Sequence, residues 1–475
     1  MRVRLALILS ALGLVLVGVF VGESAGSRSR GSRASTWGSL QVLEPASQYA
    51  FDPQLAVAAN GQTLAGWFGG PPPPPRTSSG ELASPAATPW TGSDVVLDPG
   101  TVGGGFAAPV VLSTHGSDDP EGLQVAISGT GVAYAAWEQK SGPWMISSAA
   151  SGGSFAVPHK LLPGRAQLSS LVRSPGGPVA AVWFGWIGET PLLRYALLRP
   201  DGTLGRTITV GRWSSTGGAQ LALNDRGEFA AVDMIGRSEE GSVPPAPLVH
   251  VCDAAGRCSR PHELRFGHIP AKADENNAIA LSDDGTVTVL ASFSKLPEHP
   301  AANTPLGLWA AVRRPGKRWS DPQELSRAGE EPLATADGEA SAMVLFDHFW
   351  TPHLRFLGNR LETSSLSATG THLARPAVVR GLEAPEPSTF VANAAGDYMI
   401  VGMPRRSESG GVESIVAVSG SAGGLGSVHV VVSGEVSGHP PPAGIDRDGD
   451  EVVLWDEDSE SGYRGVFTAT HRAEP

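Results

Sequence analysis

Eight times along this chain a short apolar run meets a glycine, and the spacing of those glycines sets what the chain can fold into. LAVAANG ends at Gly61, VAISGTG at Gly131, LVRSPGG at Gly177, LALNDRG at Gly227, IALSDDG at Gly285, LATADG at Gly338, FVANAAG at Gly396 and AGIDRDG at Gly449. Six residues beyond them stand Trp67, Trp137, Trp183, Asp233, Ala291, Val344, Gly402 and Trp455. Strand-like runs on both sides of a tight turn, repeated with a period near fifty, describe a radial or solenoidal array and not one continuous sheet.

A second motif recurs in register with the first: a bulky residue, usually after glycine, with proline or a β-former three positions on. The bulky positions are Trp37, Phe106, Phe155, Leu204, Cys258, Trp319, Leu373 and Leu425. Short runs such as VVL, HKL, HEL and QEL follow. The chain opens with this second motif and closes with the first, so its two ends are complementary fragments of one unit. We therefore read an all-β protein, a β-propeller of four-stranded antiparallel blades. The glycine hairpin supplies strands a and b, the middle stretch strand c, and the second motif strand d. The segment Trp37 to Leu43 then supplies strand d to a last blade built from residues 442 to 472, which closes the ring without free edges. Eight blades are expected, or seven if the repeat around Gly338 is not a blade.

TLAGWF, VAYAAWE, PVAAVWF, VTVLASF, YMIVGM and EVVLWD read as strands between turn clusters. Asn60-Gly61, Asp284-Gly285 and Asp448-Gly449 provide the positive φ that tight hairpins need. The four strand-b tryptophans keep a fixed distance from the hairpin and not from any loop, which makes them packing residues between blades.

Residues 5 to 21 are apolar after Arg2 and Arg4, so residues 1–25 read as a signal peptide or an uncleaved N-terminal membrane anchor. Residues 26–34 are a polar tether, and 35–475 a single propeller domain. No cysteine follows the apolar run, which excludes a lipid-modified lipoprotein. Location is expected to be secreted or extracytoplasmic, with membrane contact only through that segment. Net charge is −12, without a basic cluster in the body of the chain, which excludes nucleic acid as a partner. A monomer is expected. Cys252 and Cys258 flank a short c–d turn in VHVCDAAGRCSRP and read as a disulfide. The pair would fill with sulfur the slot that Trp or Phe fills in other repeats.

In a propeller the a–b and c–d turns share one face, and the b–c and d–a loops share the other. The a–b turns are short and repetitive, whereas the b–c loops vary in length and chemistry, so binding is expected on the b–c/d–a face. Candidate ligand-binding residues there are Glu138, Trp186, Asp347, His348, Trp350, Asp456 and Asp458, with His353, Glu457, Asp118, Asp119, Asp274 and Glu275 on the same loops. Aromatic faces stack on sugar rings while acids accept sugar hydroxyls, so a glycan is the expected partner, or else an extracellular protein. Asp446, Asp448 and Asp450 in IDRDGDE resemble the start of a calcium loop, but they occupy the a–b turn slot and lack the acid at its end. Turn chemistry is the reading. Asp347, His348 and His353 lack the spacing of a metal site, and no metal or cofactor is expected. The prolines at 71–75 sit inside a long Gly/Ser/Pro insertion, which reads as a flexible excursion.

PQLAVAANGQTLAGW, with a GKRWSDPQEL-type strand, resembles secreted bacterial repeats of the sialidase-like propellers, over nearly the whole chain after residue 37. Enzymes of that kind would carry an arginine triad, a tyrosine–glutamate pair, an aspartate acid and S-x-D-x-G-x-T-W boxes. No such box is present, and Tyr49, Tyr134, Tyr195, Tyr398 and Tyr463 match no nucleophile position. Catalytic residues are therefore unassigned. The leading expectation is a non-enzymatic binder. A glycoside hydrolase or lyase with paired carboxylates such as Asp347 and Asp456, and a structural scaffold of the cell envelope, stay open beside it.

Overall fold

The computed structural model describes residues 37–473, apart from positions 39, 45–48, 71–93, 114–119, 141, 165, 175, 214–218, 236–245, 267–272, 296–303, 328, 337–341, 349–359, 368, 384–385, 404–411, 422–423, 437–439 and 459–463. The N-terminal apolar run, the tether, the proline run, Asp118, Asp119, Gly338, Trp350 and His353 lie outside the described residues. So do the side chains of Asp274, Glu275, Asp347, His348 and Asp458. Among the described residues, no helix is long and apolar enough to cross a membrane.

Every described element is a strand, and the strands form eight antiparallel sheets. The first blade runs Tyr49–Val57, Gln62–Gly70 and Asp94–Thr101, with an outer strand in two pieces, Gly105–Phe106 and Val110–Val111. Consecutive blades pack on one another around an eight-bladed propeller. The repeat around Gly338 is a full blade, with strands Gly329–Ala336, Ala342–His348, Arg360–Ser365 and Ala377–Glu383. The alternative count of seven therefore falls away.

Closure follows the predicted route. In the eighth blade, strands Ala443–Ile445, Glu451–Asp458 and Arg464–His471 accept Gln41–Glu44 as the outermost strand, with Val42 opposite Phe467 and Glu44 opposite Val466. The first and eighth blades then pack directly against each other.

The a–b turns repeat because their chemistry does. Gly61, Gly131, Gly227, Gly285, Gly396 and Gly449 all have φ between 77° and 85°, which a Cβ would disfavour. Three residues before the glycine, a side-chain oxygen accepts two backbone N–H groups: Asn224 from Arg226 and Glu228, Asn393 from Ala395 and Asp397, Asp446 from Asp448 and Asp450. Asp446 is thus a turn residue. The same positions tie blades together, since Asn224 Nδ2 donates to Ser282 O (3.0 Å) and Asn393 Nδ2 to Asp446 O (2.6 Å). Gly129 N to Gly177 O and Arg447 N to Ala59 O extend this belt across two further blade boundaries. The a–b face is consequently laced from blade to blade by short, repeated polar contacts.

Burial between blades explains the tryptophans. Trp67 packs with Leu454 and Val466 of the eighth blade, Trp137 with Leu64 and Leu97 of the first, Trp183 with Tyr134 and Ile146 of the second, and Trp455 with Met399 and Ala417 of the seventh. Each lies against the blade before its own. The second motif also keeps its register. Gly100 faces Phe106, Leu198 faces Leu204, Arg313 faces Trp319 and Leu366 faces Leu373. Cys252 faces Cys258 in that position and is bonded to it, so sulfur fills the slot as expected.

Two residues before that slot, strand c of the second and sixth blades carries Ser147 and Ser364. Each donates its hydroxyl to a carbonyl shortly before strand d, of Ala156 and Ala374, at 2.6 Å. In the first blade the position is Asp98, buried with its Oδ1 unpartnered. Burial pushes this carboxyl up from 3.8 to about 7, with a backbone hydrogen bond from Ala107 opposing. The folded state therefore holds the proton more tightly than the unfolded chain. The stabilisation this brings is complete below the ordinary carboxylate range and is lost as pH rises through about 7. Asp98→Asn should remove the pH dependence and stabilise the protein by about 1–2 kcal/mol at about pH 8, read as the urea midpoint at acidic and alkaline pH. An unchanged alkaline midpoint would refute it.

Candidate functional site

Strand a enters the ring irregularly. In the first, second, third, sixth and seventh blades its register with strand b shifts near the d–a end, between Phe51 and Gln54, Glu121 and Gln124, Leu168 and Ser170, Glu330 and Leu333, and Glu386 and Thr389. Such bulges re-aim side chains at a sheet edge. In the second blade the bulge holds Gly122 at φ 62°, and a Cβ there would sit 3.1 Å from the Trp144 ring. Trp144 stands opposite Glu138, which itself stands opposite Glu121. Burial, and then the Glu121 charge, raise the Glu138 carboxyl above its ordinary value.

The third and fourth blades form a concavity on this face. Their strands a are Gln167–Arg173 and Gln220–Leu223, and their strands b are Val179–Ile187 and Phe229–Ile235. A cavity of ≈ 570 Å³ is lined by Gln167, Ser169, Ser170, Phe184, Gln220 and Leu221, among others. It lies at the d–a end of both strands a.

Strand alternation also places a carboxylate at this boundary. Phe229 and Ala231 on strand b of the fourth blade pack towards Phe184 and Tyr195 of the third, and alternation puts Asp233 on the same face. Asp233 holds the position that carries tryptophan in the first, second, third and eighth blades, and it is buried. A carboxylate replaces an indole at this one boundary.

Trp186 lies one pleat beyond Phe184, on the same face of the strand, in a tight b–c hairpin where Ile187 pairs Thr190. Its side chain is 39% exposed. Trp213, at the end of the third blade's outer strand, donates its backbone N–H to Pro191 O (3.0 Å) and packs its ring near Phe184 and His250. Burial holds the His250 imidazole below its ordinary value, so it enters the aromatic wall uncharged at neutral pH.

Of the residues predicted from sequence, Trp186 stands two positions beyond the lining residue Phe184 and Glu138 stands on the second blade, and neither lines this cavity. Asp456 is buried within strand b of the eighth blade, opposite Val466, and Glu457 accepts the Trp455 indole N–H at 3.1 Å. Asp347 and His348 end strand b of the sixth blade, and Asp458 ends strand b of the eighth. Among the described residues, no group of three His, Cys, Asp or Glu side chains converges to hold a metal. Asp233, Gln167 and Gln220 were missed by sequence reading. The same column also lacks tryptophan at Ala291, Val344 and Gly402, so it does not single out this boundary.

No protein-family model matches the chain, and no curated protein is similar to it. Similar solved structures include a lectin from Burkholderia pseudomallei, at 12% identity over 81% of this chain and 100% of the lectin, with a TM-score of 0.44. A polysaccharide lyase is similar at 10% identity over 92% of this chain and 99% of its own, also at 0.44. A protein of unknown function from Dyadobacter fermentans is 11% identical over 92% and 99%, at 0.39. At these values the likeness carries no argument beyond the fold that the sheet order already shows.

Proposed function

We propose that this chain is an exported or envelope-associated, non-enzymatic propeller that binds a glycan on its b–c/d–a face, at the boundary of the third and fourth blades. The observation that carries the reading is the cavity there, lined by Gln167, Ser169, Ser170 and Gln220 together with Phe184, with Trp186 exposed one pleat beyond Phe184 on the same strand. Sugars present alternating hydroxyl edges and apolar C–H faces, and this wall offers partners for both. Kinship with sialidase-like propellers belongs to the same proposal and rests on the two repeated motifs.

The test is a glycan and cell-wall polysaccharide array probed with the full chain, with and without calcium. Wild type should give a specific hit, and Trp186→Ala should weaken it at least about tenfold, the loss of roughly 1.4 kcal/mol of stacking and burial. A hit that Trp186→Ala leaves intact would move the site elsewhere. An empty array in both conditions would reject the glycan and favour a protein partner or an envelope scaffold.

One observation favours a hydrolase or lyase: the adjacent carboxylates of Glu121 and Glu138, one with a raised pKa, are the chemistry of acid–base glycoside cleavage. Turnover of a chromogenic glycoside that is lost in Glu138→Gln would establish that activity.

A further inference from the structure

A second cavity lies further along the strands a, towards the propeller axis, and meets the first at Val172 and Leu221. Its ≈ 180 Å³ are walled by the a-strand ends of the third to seventh blades, with Val172, Leu221, Ile279, Ala334 and Phe390 among the lining residues. Two charged side chains line it, Arg173 and Asp283. Asp283 accepts the Asp225 backbone N–H at 2.9 Å and belongs to the inter-blade belt. Arg173 reaches from the third blade to the carbonyl of Val57 in the first, passing the second blade. Among the described residues it forms no ion pair. Burial lowers its pKa with no carboxylate contributing.

A guanidinium presents five N–H donors in a planar fork, and a single carbonyl satisfies one or two of them. Arg173 is half-buried, and placing such a cation against alkyl side chains is costly unless an anion joins it. A planar carboxylate matches the fork in two-point geometry, and the Ala, Val, Leu, Ile and Phe wall suits a short alkyl or aryl group. Asp283 on the same wall disfavours a multiply charged anion such as phosphate. We propose that the axial cavity binds a small organic monocarboxylate, clamped by Arg173, next to the proposed glycan site.

The test is thermal unfolding of the full chain in butyrate against its neutral isostere butyramide, at fixed ionic strength. Butyrate should raise Tm saturably by about 2–4 °C, butyramide should not, and Arg173→Met should abolish the difference. Equal responses to the acid and the amide, or an undiminished butyrate response in Arg173→Met, would overturn the proposal. Should Arg173→Met fail to fold, crystals of the wild-type chain soaked in 3-bromopropionate decide instead. An anomalous bromine peak in the axial cavity, with its carboxylate on the guanidinium, supports the site, and its absence from the cavity rejects it.

Discussion

Deleting residues 37–44 is expected to lower the unfolding temperature by more than about 10 °C and to drive the protein into aggregates. The segment contributes little burial of its own: Leu43 and Glu44 are buried, while Val42 is half exposed. Its weight comes from where it pairs. Without Gln41–Glu44, the strand Arg464–His471 becomes an open edge, and the packing of Trp37 in the cluster between the seventh and eighth blades is lost. In a ring, every blade is held by two neighbours, so a defect in one loosens both of its boundaries.

A circular permutant separates this explanation from simple loss of residues. Joining Pro475 to Thr36 and opening the chain between Glu44 and Tyr49 places five residues between His471 and Trp37. That is the count between Gly100 and Phe106 and between Cys252 and Cys258, so the graft makes a c–d turn of native length. The permutant should regain wild-type stability and solubility, measured by calorimetry and size-exclusion chromatography. If the deletion is harmless, or the permutant as unstable as the deletion, strand exchange between the ends does not close the ring.

Architecture was legible because it is written in short-range chemistry that repeats. Positive φ at the a–b glycines, the Asx-type oxygen three residues earlier, and the bulky residue after each c–d turn are local demands, met in register along the chain. The complementary ends were legible for the same reason. The site was not, because it depends on how the third and fourth blades meet, which no single repeat encodes. Asp233 appeared in the sequence as one member of an aligned column that also lacks tryptophan at Ala291, Val344 and Gly402. Asp456 illustrates the converse. Read as a loop acid, it extends strand b by one residue past Trp455 and is buried, because the strand continues to Asp458. Strand a bulges were also invisible, since an extra residue such as Ser169 disturbs alternation by one position within a polar stretch. Nothing in the sequence singled out Arg173, since only closure of the ring puts its guanidinium in the axial cavity.

Trp183 and Trp186 provide the second large effect, because three residues of one strand separate a packing role from a surface one. Trp183 is 1% exposed and sits between the second and third blades with Tyr134, Trp144, Ile146 and Leu168. Removing its ring leaves a cavity that flanking strands, pinned by their ladders, cannot collapse to fill. Trp183→Ala should cost about 3–5 kcal/mol, seen as a large fall in the urea midpoint. Trp186 points to the opposite side of the third blade's boundary and keeps much of its ring in solvent, so Trp186→Ala should shift stability by no more than about 0.5 kcal/mol while weakening glycan binding. The two variants should thus fail in opposite assays. If Trp186→Ala destabilises as strongly as Trp183→Ala, its indole belongs to the blade core and the exposed aromatic rim of the proposed site does not exist. If Trp183→Ala is nearly neutral, the fixed spacing from glycine to tryptophan marks something other than blade packing, and the account of why this repeat carries an indole in four of its eight copies is wrong.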